Sequence, residues 1–284
     1  MNTKRNFTIL TFSLLIFILF CSVGIDNSGL RITYLGNCGF LYEAAGEKVL
    51  IDPFGTEYGN YFQLPSTELQ RKIIDREDSF NKVDLLLITH IHGDHFNFKL
   101  SREFLLSHRD AKMICPPQVL KQMQDSCANF EQIKDRIISP ELSMGEAKFI
   151  RGNNIPVQVI RMQHGTMRNL EGINPSEYTD YEKTENYGYV VNLNDKNIFH
   201  QGDGCLMINK KALEQITSKI DVAHLSYFDW DSISYKNVKN QLHANKVIFM
   251  HGTIAAKELE RKEFKKILPE LVVLKKEMET VYFD

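Results

Sequence analysis

The sequence predicts an α/β fold in which sheets are faced by helices. Three observations carry that prediction. Short strand patterns cluster early, at 31–36, 40–43 and 48–51. A continuous apolar run, VDLLLIT at 83–89, has the signature of a strand buried on both faces. Beyond it, apolar strand runs alternate with helical patterns, the order expected of layered sheets and helices.

The elements follow in order. Gly36-Asn37 and Ala45-Gly46 are turn signals that split the first three strands. The run at 111–115 stops before Pro116-Pro117. Strands follow at 147–151 and 156–162, and those at 187–193 and 197–200 flank Asn194-Asp195, a hairpin signal. Two more short apolar runs lie at 220–225 and 246–250. Helical patterns occupy 98–107, 117–127, 210–217, 235–242 and 254–267. The segment 165–186 is rich in Glu, Asn, Asp and Tyr without an apolar period, which reads as a functional loop or lid.

Composition narrows the function. Hydrophobic residues make up 43% and charged residues 25% of 284, as in ordinary globular chains. Lys and Arg number 34 against 36 Asp and Glu, so no basic surplus exists to hold nucleic acid, and no nucleic-acid partner is expected. Five Cys at irregular spacings, without a CxxC pair, argue against a disulfide scaffold and a Cys-based zinc finger.

The chain reads as two parts: residues 1–24, a signal peptide or membrane anchor, and residues 25–284, the functional domain. Lys4 and Arg5 precede the uncharged run FTILTFSLLIFILFCSV at 7–23, a secretory pattern. Three fates are open: cleavage after Gly24, lipidation at Cys21, or retention as an anchor, since the run approaches the length that spans a bilayer. The expectation is an exported protein, periplasmic, secreted or held at a membrane by this segment.

The chemistry concentrates after the buried strand, in Thr89-His90-Ile91-His92-Gly93-Asp94-His95. Alternate residues at a strand end share a side, so His90 and His92 can reach one ion. Gly93 permits a sharp turn, after which Asp94 and His95 face the other way and suit a second ion. Imidazole and carboxylate are ligands for zinc, and also for manganese or iron. Further candidates each follow a strand pattern: His164, Asp203 and His251. Strand ends are where sites form in layered α/β folds. Asp52 and Asp84 are candidates to hold a ligand His in one tautomer. His200, His224, His243, His108 and Cys205 read as core, surface or cap residues. The run at 227–231, with Trp230, is equally a substrate wall or a core-edge cluster.

In order, THIHGDH at 89–95, MQHG at 162–165, HQGDG at 200–204 and MHG at 250–252 resemble the metallo-β-lactamase superfamily. The Ile51-Asp52-Pro53 turn is similar to the family's as well. The resemblance implies a four-layer αββα sandwich with two divalent ions at one edge, zinc first, with manganese or iron as alternatives. It places His90, His92 and His164 on one ion, Asp94, His95 and His251 on the other, and Asp203 between them. Two divalent ions carry four positive charges, of which Asp94, Asp203 and a bridging hydroxide cancel three. The implied enzyme is a binuclear hydrolase whose metal-bound hydroxide attacks a lactone, ester or phosphodiester, with Asp94 orienting the nucleophile. Its partner would be a small, anionic substrate. The motif order is most similar to the branch with L-ascorbate-6-phosphate lactonase and N-acylphosphatidylethanolamine phospholipase D. The competing readings are a metal-binding module without turnover, a β-lactam or thioester hydrolase of the same superfamily, and an oxygen-reducing di-iron member.

Overall fold

β1 (Leu30–Gly36), β2 (Gly39–Ala44) and β3 (Glu47–Ile51) form an antiparallel meander. The computed structural model to which they belong describes residues 29–165, 183–206, 208–226, 240–252 and 271–284. The expected leader at 1–24, most of the polar segment at 165–186, the aromatic run at 227–231 and the helical patterns at 235–242 (mostly) and 254–267 lie outside the described residues.

α1 (Thr67–Asp75) leads to β4 (Leu85–Leu87), and α2 (Phe98–Ser107) to β5 (Lys112–Ile114). α3 (Pro117–Ser126) precedes the two-residue β6 (Ile137–Ile138). β3 to β6 pair in parallel, as expected where helical crossovers join strands. β7 (Ala147–Gly152), β8 (Ile155–Gln163), β9 (Glu185–Leu193) and β10 (Lys196–His200) make a second antiparallel run. The short α4 (Lys210–Leu213) is followed by β11 (Val222–Ser226), β12 (Lys246–Met250) and β13 (Leu271–Val273), all in parallel from β10 onward. β14 (Thr280–Phe283) returns to the first sheet and pairs with β1, Leu30 opposite Phe283.

Among the described residues the strands form two seven-stranded sheets, β14-β1-β2-β3-β4-β5-β6 and β13-β12-β11-β10-β9-β8-β7. Side-chain alternation assigns the layers. Tyr187, Tyr189 and Val191 of β9 join Ile32, Phe40, Tyr42, Val49 and Leu85 in a core between the sheets. Val190, one residue out of phase, packs instead with Phe199, Ala212 and Leu213 on the outer face. Leu41, Leu50 and Met113 cover the first sheet's other face against Leu69, Ile73, Phe104 and Val119 of the helices. The result is the helix–sheet–sheet–helix order of an αββα sandwich.

Several elements differ from the sequence expectation. β4 is shorter than the run 83–89, because the amide of Thr89 donates to the Asp52 carboxylate (2.8 Å) instead of a strand. α4 stops at Leu213 rather than 217, where the backbone tightens into bonds three residues apart, Gln215 N to Ala212 O and Ile216 N to Leu213 O. α1 was not anticipated: it has only three apolar core residues, Leu69, Ile73 and Ile74, and begins at the Ser66 cap.

Buried bonds tie the second sheet to the segment that bears the histidines, among them Tyr187 N to the carbonyl of Thr89 (2.9 Å). The Tyr189 hydroxyl donates to the carbonyl of Ile88 (2.7 Å), two residues before His90. Tyr189→Phe keeps the ring and loses the donor, so it should lower the unfolding free energy by about 1–2 kcal/mol. Urea denaturation reads this, and an unchanged midpoint would contradict it.

Candidate metal centre

The site is assembled at the ends of strands. The segment after β4 supplies His90, His92, Asp94 and His95; the end of β8 supplies His164; the turn after β10, Asp203; and the end of β12, His251. The structure brings all seven together. His90, His92, His164 and Asp203 each place a donor atom within 4.8 Å of the others. Cys38, His95, Asp203 and His251 form a second such group. Asp94 adjoins the second, its Oδ2 at 3.1 Å from His251 Nε2 and 3.4 Å from His95 Nε2.

Asp203 is the residue the two groups share. Its Oδ1 stands 3.3 Å from His95 Nε2, and its Oδ2 lies 3.2, 3.5 and 3.7 Å from Nε2 of His251, His164 and His90. The turn that presents it is fixed from outside. Asn186 accepts the Asp203 amide (2.9 Å) and donates to the carbonyl of Gln201 (3.1 Å). Gly202 has φ 58°, and a Cβ there would lie 2.5 Å from Asn186 Oδ1 and 2.8 Å from Thr89 Cβ. Only glycine lets this turn sit against the histidine segment.

Hydrogen bonds set the imidazole tautomers. Asp52 Oδ2 accepts Nδ1–H of His95 (2.8 Å) and the Thr89 hydroxyl (2.6 Å). With its proton given to Asp52, that hydroxyl accepts Nδ1–H of His90 (3.0 Å). His164 donates Nδ1–H to the carbonyl of Gly165 (2.5 Å). Nε2 of all three rings is thereby aimed at the centre, as metal-ligating histidines are commonly held. Asp52 (φ 44°) and His251 (φ 55°) are both left-handed, a conformation that non-glycine residues adopt at a cost and that clusters at functional sites.

The donor set fits divalent ions. Two nitrogens bound to one tetrahedral ion at about 2.0–2.1 Å stand about 3.4 Å apart. His90 Nε2 and His164 Nε2 are 3.3 Å apart, a close approach for two acceptors with no cation between them. His95 Nε2 and Asp203 Oδ1 are buried and make no hydrogen bond, as ligand atoms would be.

Electrostatics separates the two groups. Burial, then the neighbouring His95, holds His90 well below the usual histidine range, and burial with His164 lowers His92 to about 4. Both are neutral near pH 7 and ready to bind. Burial also opposes charge on His251, but the carboxylates of Asp203 and Asp94 overcome it and raise its pKa to about 9. His95 is raised for the same reason, against its burial. Asp94 and Asp203 stay ionised despite burial, Asp94 held mainly by His95 and His251, Asp203 by His251 and His95.

A pH dependence follows. The His251 proton stabilises the fold fully below its unfolded value of 6.5, and that contribution fades as pH rises through about 9. An ion at the second group must displace this proton, so affinity there should rise from pH 6.5 to 9. Chelator competition across that range measures it, and two equally pH-independent affinities would contradict it.

Other sequence candidates fall elsewhere. Asp84 precedes β4, at the end remote from His90, and its carboxylate accepts the Lys48 amide (2.8 Å); it holds no ligand histidine. His200 lies beneath the site, donating to the carbonyl of Cys38 (3.0 Å) and stacking on buried His224. Cys205 is half-buried rather than buried, and His243 is exposed. His108 ends α2 and donates to the carbonyl of Ile73.

Sequence reasoning missed several residues. Asn37 donates to Asp94 Oδ2 (3.0 Å) and Cys38 follows it into the second group, yet Gly36-Asn37 reads only as a turn. Phe62 packs its ring 4.4 Å from that of His251, and Thr184 Oγ1 lies 3.4 Å from His92 Nε2. No local pattern marks either one.

Asp52 offers a direct test. Asp52→Asn keeps the shape but turns an amide donor or a weaker acceptor toward Nδ1–H of His95. Affinity for metal should fall about 10–100-fold with the fold retained. Chelator competition reads the change, and wild-type affinity would contradict it.

Comparison with known proteins gives one consistent pattern. The family described as beta-lactamase superfamily domain matches residues 31–251. The chain is 26% identical over 252 residues to a UPF0173 metal-dependent hydrolase of Pyrococcus horikoshii, spanning 86% of this chain and 96% of that protein. The solved structure of Igni18, a metallo hydrolase of the archaeon Ignicoccus hospitalis, matches with a TM-score of 0.61 at 18% identity, over 90% of this chain and 99% of that one. An isothiocyanate hydrolase from Delia radicum gut bacteria matches with a TM-score of 0.58 at 16% identity, over 89% and 99%.

Proposed function

Because the chain belongs to the beta-lactamase superfamily, we propose that it is a metal-dependent hydrolase working with two divalent ions. His90, His92 and His164 would hold one, Asp94, His95 and His251 the other, with Asp203 serving both. Zinc suits the nitrogen-rich donors first, with manganese or iron as alternatives. The observation that carries the reading is the position of Asp203, whose two oxygens face both groups. Ions bound there would supply a water of lowered pKa and a Lewis acid for a polarised oxygen.

The residues provide the rest. Asp94 stays ionised, and Asn37 fixes its Oδ2. It can therefore accept a hydrogen bond from an attacking water and set its direction. Asp52 and Thr89 hold the rings of His95 and His90, so the site is organised before substrate arrives. The candidate ligands other than His92 are buried, which strengthens the charge interactions among them. Two divalent charges set against Asp94, Asp203 and a hydroxide leave the centre cationic. The substrate class is accordingly a small molecule with an anionic or strongly polarised oxygen: a lactone, an ester or a phosphodiester.

The test is an activity screen of the metal-loaded chain against nitrophenyl esters, simple lactones and bis-nitrophenyl phosphate. Turnover of at least one, removed by chelator and restored by zinc or manganese, is expected. Two ions bound with none of the three classes turned over would contradict hydrolysis and favour a binding module.

A further inference from the structure

The turn between β1 and β2 places a thiol against the second group, where the sequence motifs supply only nitrogen and oxygen donors. Cys38 is fully buried and forms no disulfide. Its Sγ lies within 4.8 Å of donor atoms on His95, Asp203 and His251, close enough for all four to share one ion. Two of those partners leave donor atoms for a ligand: His95 Nε2 and Asp203 Oδ1, 3.3 Å apart, are buried and make no hydrogen bond. The turn is also fixed from both sides. Asn37 is left-handed (φ 46°) and bonded to Asp94, while the Cys38 carbonyl accepts from His200. A Cβ at Gly39 would lie 2.9 Å from the Asp52 carbonyl, so the turn rests directly on the residue that orients His95. The thiol is thus delivered by a rigid loop.

We propose that Cys38 is a thiolate ligand of the second ion, making that site a mixed sulfur, nitrogen and oxygen site. On binding, the metal–sulfur bond forms as the thiol proton passes to solvent, with no change in oxidation state. One consequence is selectivity. Thiolate favours zinc and cobalt over manganese and magnesium, whereas the first group has no sulfur donor. The second consequence is charge. A third anionic side chain beside Asp94 and Asp203 brings the loaded centre, with its hydroxide, close to formal neutrality, which relaxes the demand for an anionic substrate and suits a neutral ester or lactone.

This inference rests on the two-ion reading, and cobalt separates the two. The full chain is titrated with Co(II) and its near-ultraviolet thiolate-to-cobalt charge-transfer absorption is followed. Wild type should develop that band with one of its two cobalt equivalents. Cys38→Ser should lose the band yet keep the first equivalent, and Cys205→Ser should keep both. The second equivalent of zinc should bind Cys38→Ser about a hundredfold more weakly, since even partners one shell further out are worth 10–100-fold. Manganese binding should change far less. Two equivalents bound by wild type without the band, or a band lost in Cys205→Ser and kept in Cys38→Ser, would overturn the ligand role and leave two-ion binding standing. Failure to bind a second equivalent at all would overturn both. Cys38→Ala, compared by thermal unfolding with chelator present, controls for folding. Should both variants misfold, the wild-type and Cys205→Ser titrations decide: two cobalt equivalents bound without the band, or a band lost in Cys205→Ser, overturn the role.

Discussion

Asp203→Asn should abolish hydrolysis, by about a thousandfold or more, and reduce the bound metal from two ions to at most one. The expected size reflects the geometry. The carboxylate is the element common to both groups, and its neighbours His95, His251, His164 and His90 approach it from both sides at 3.2–3.7 Å. Asn keeps the volume and offers one oxygen, without charge. The turn itself should survive, because Asn186 binds the main chain of residue 203 and not its side chain. Loss of activity should therefore come with a near-native fold. His95 and His251 would lose the carboxylate that raises their pKa, so both should titrate lower in the variant. Metal analysis with a kinetic assay checks this, and two ions with activity within tenfold of wild type would contradict it.

Asp94→Ala and His92→Ala should each remove activity, by about a hundred- to ten-thousandfold, while losing different ions. Asp94 contacts His95 and His251, so its loss should empty the second group and spare the first. His92 belongs with His90 and His164, so its loss should do the reverse. The pair also differs in stability. Removing Asp94 leaves Asn37 Nδ2 without its carboxylate and takes one of two carboxylates from beside His95 and His251, whereas His92 is less buried. Asp94→Ala should be the less stable protein at neutral pH. Metal stoichiometry after dialysis, with activity and thermal unfolding, distinguishes these outcomes. Full activity in either variant, or the same ion lost from both, would show that the residues are misassigned.

What could be read from the chain, and what could not, follows from range. The histidine segment is contiguous, so its alternation and the strand before it are visible in one window. His164, Asp203 and His251 are each announced by an apolar run that ends at them. Pairing is another matter: β14 meets β1 with Leu30 opposite Phe283, and no local pattern encodes a contact across nearly the whole chain. β6 is too short to give a period, and α1 offers only three apolar positions. The supporting residues were hidden for a different reason. Asn37, Cys38 and Asn186 occupy turn or strand positions whose residue types are common there, and only the fold shows that they face the site. Asp84 misled in the opposite sense: it flanks the right strand at the wrong end.

One carboxylate, Asp203, is expected to join two ion sites. Anomalous diffraction from crystals loaded with zinc tests it most directly. Two peaks are predicted, one among His90, His92 and His164 and one among Asp94, His95 and His251, each in contact with an oxygen of Asp203. A single peak under saturating zinc, or two peaks of which either lies out of reach of Asp203, would contradict the account.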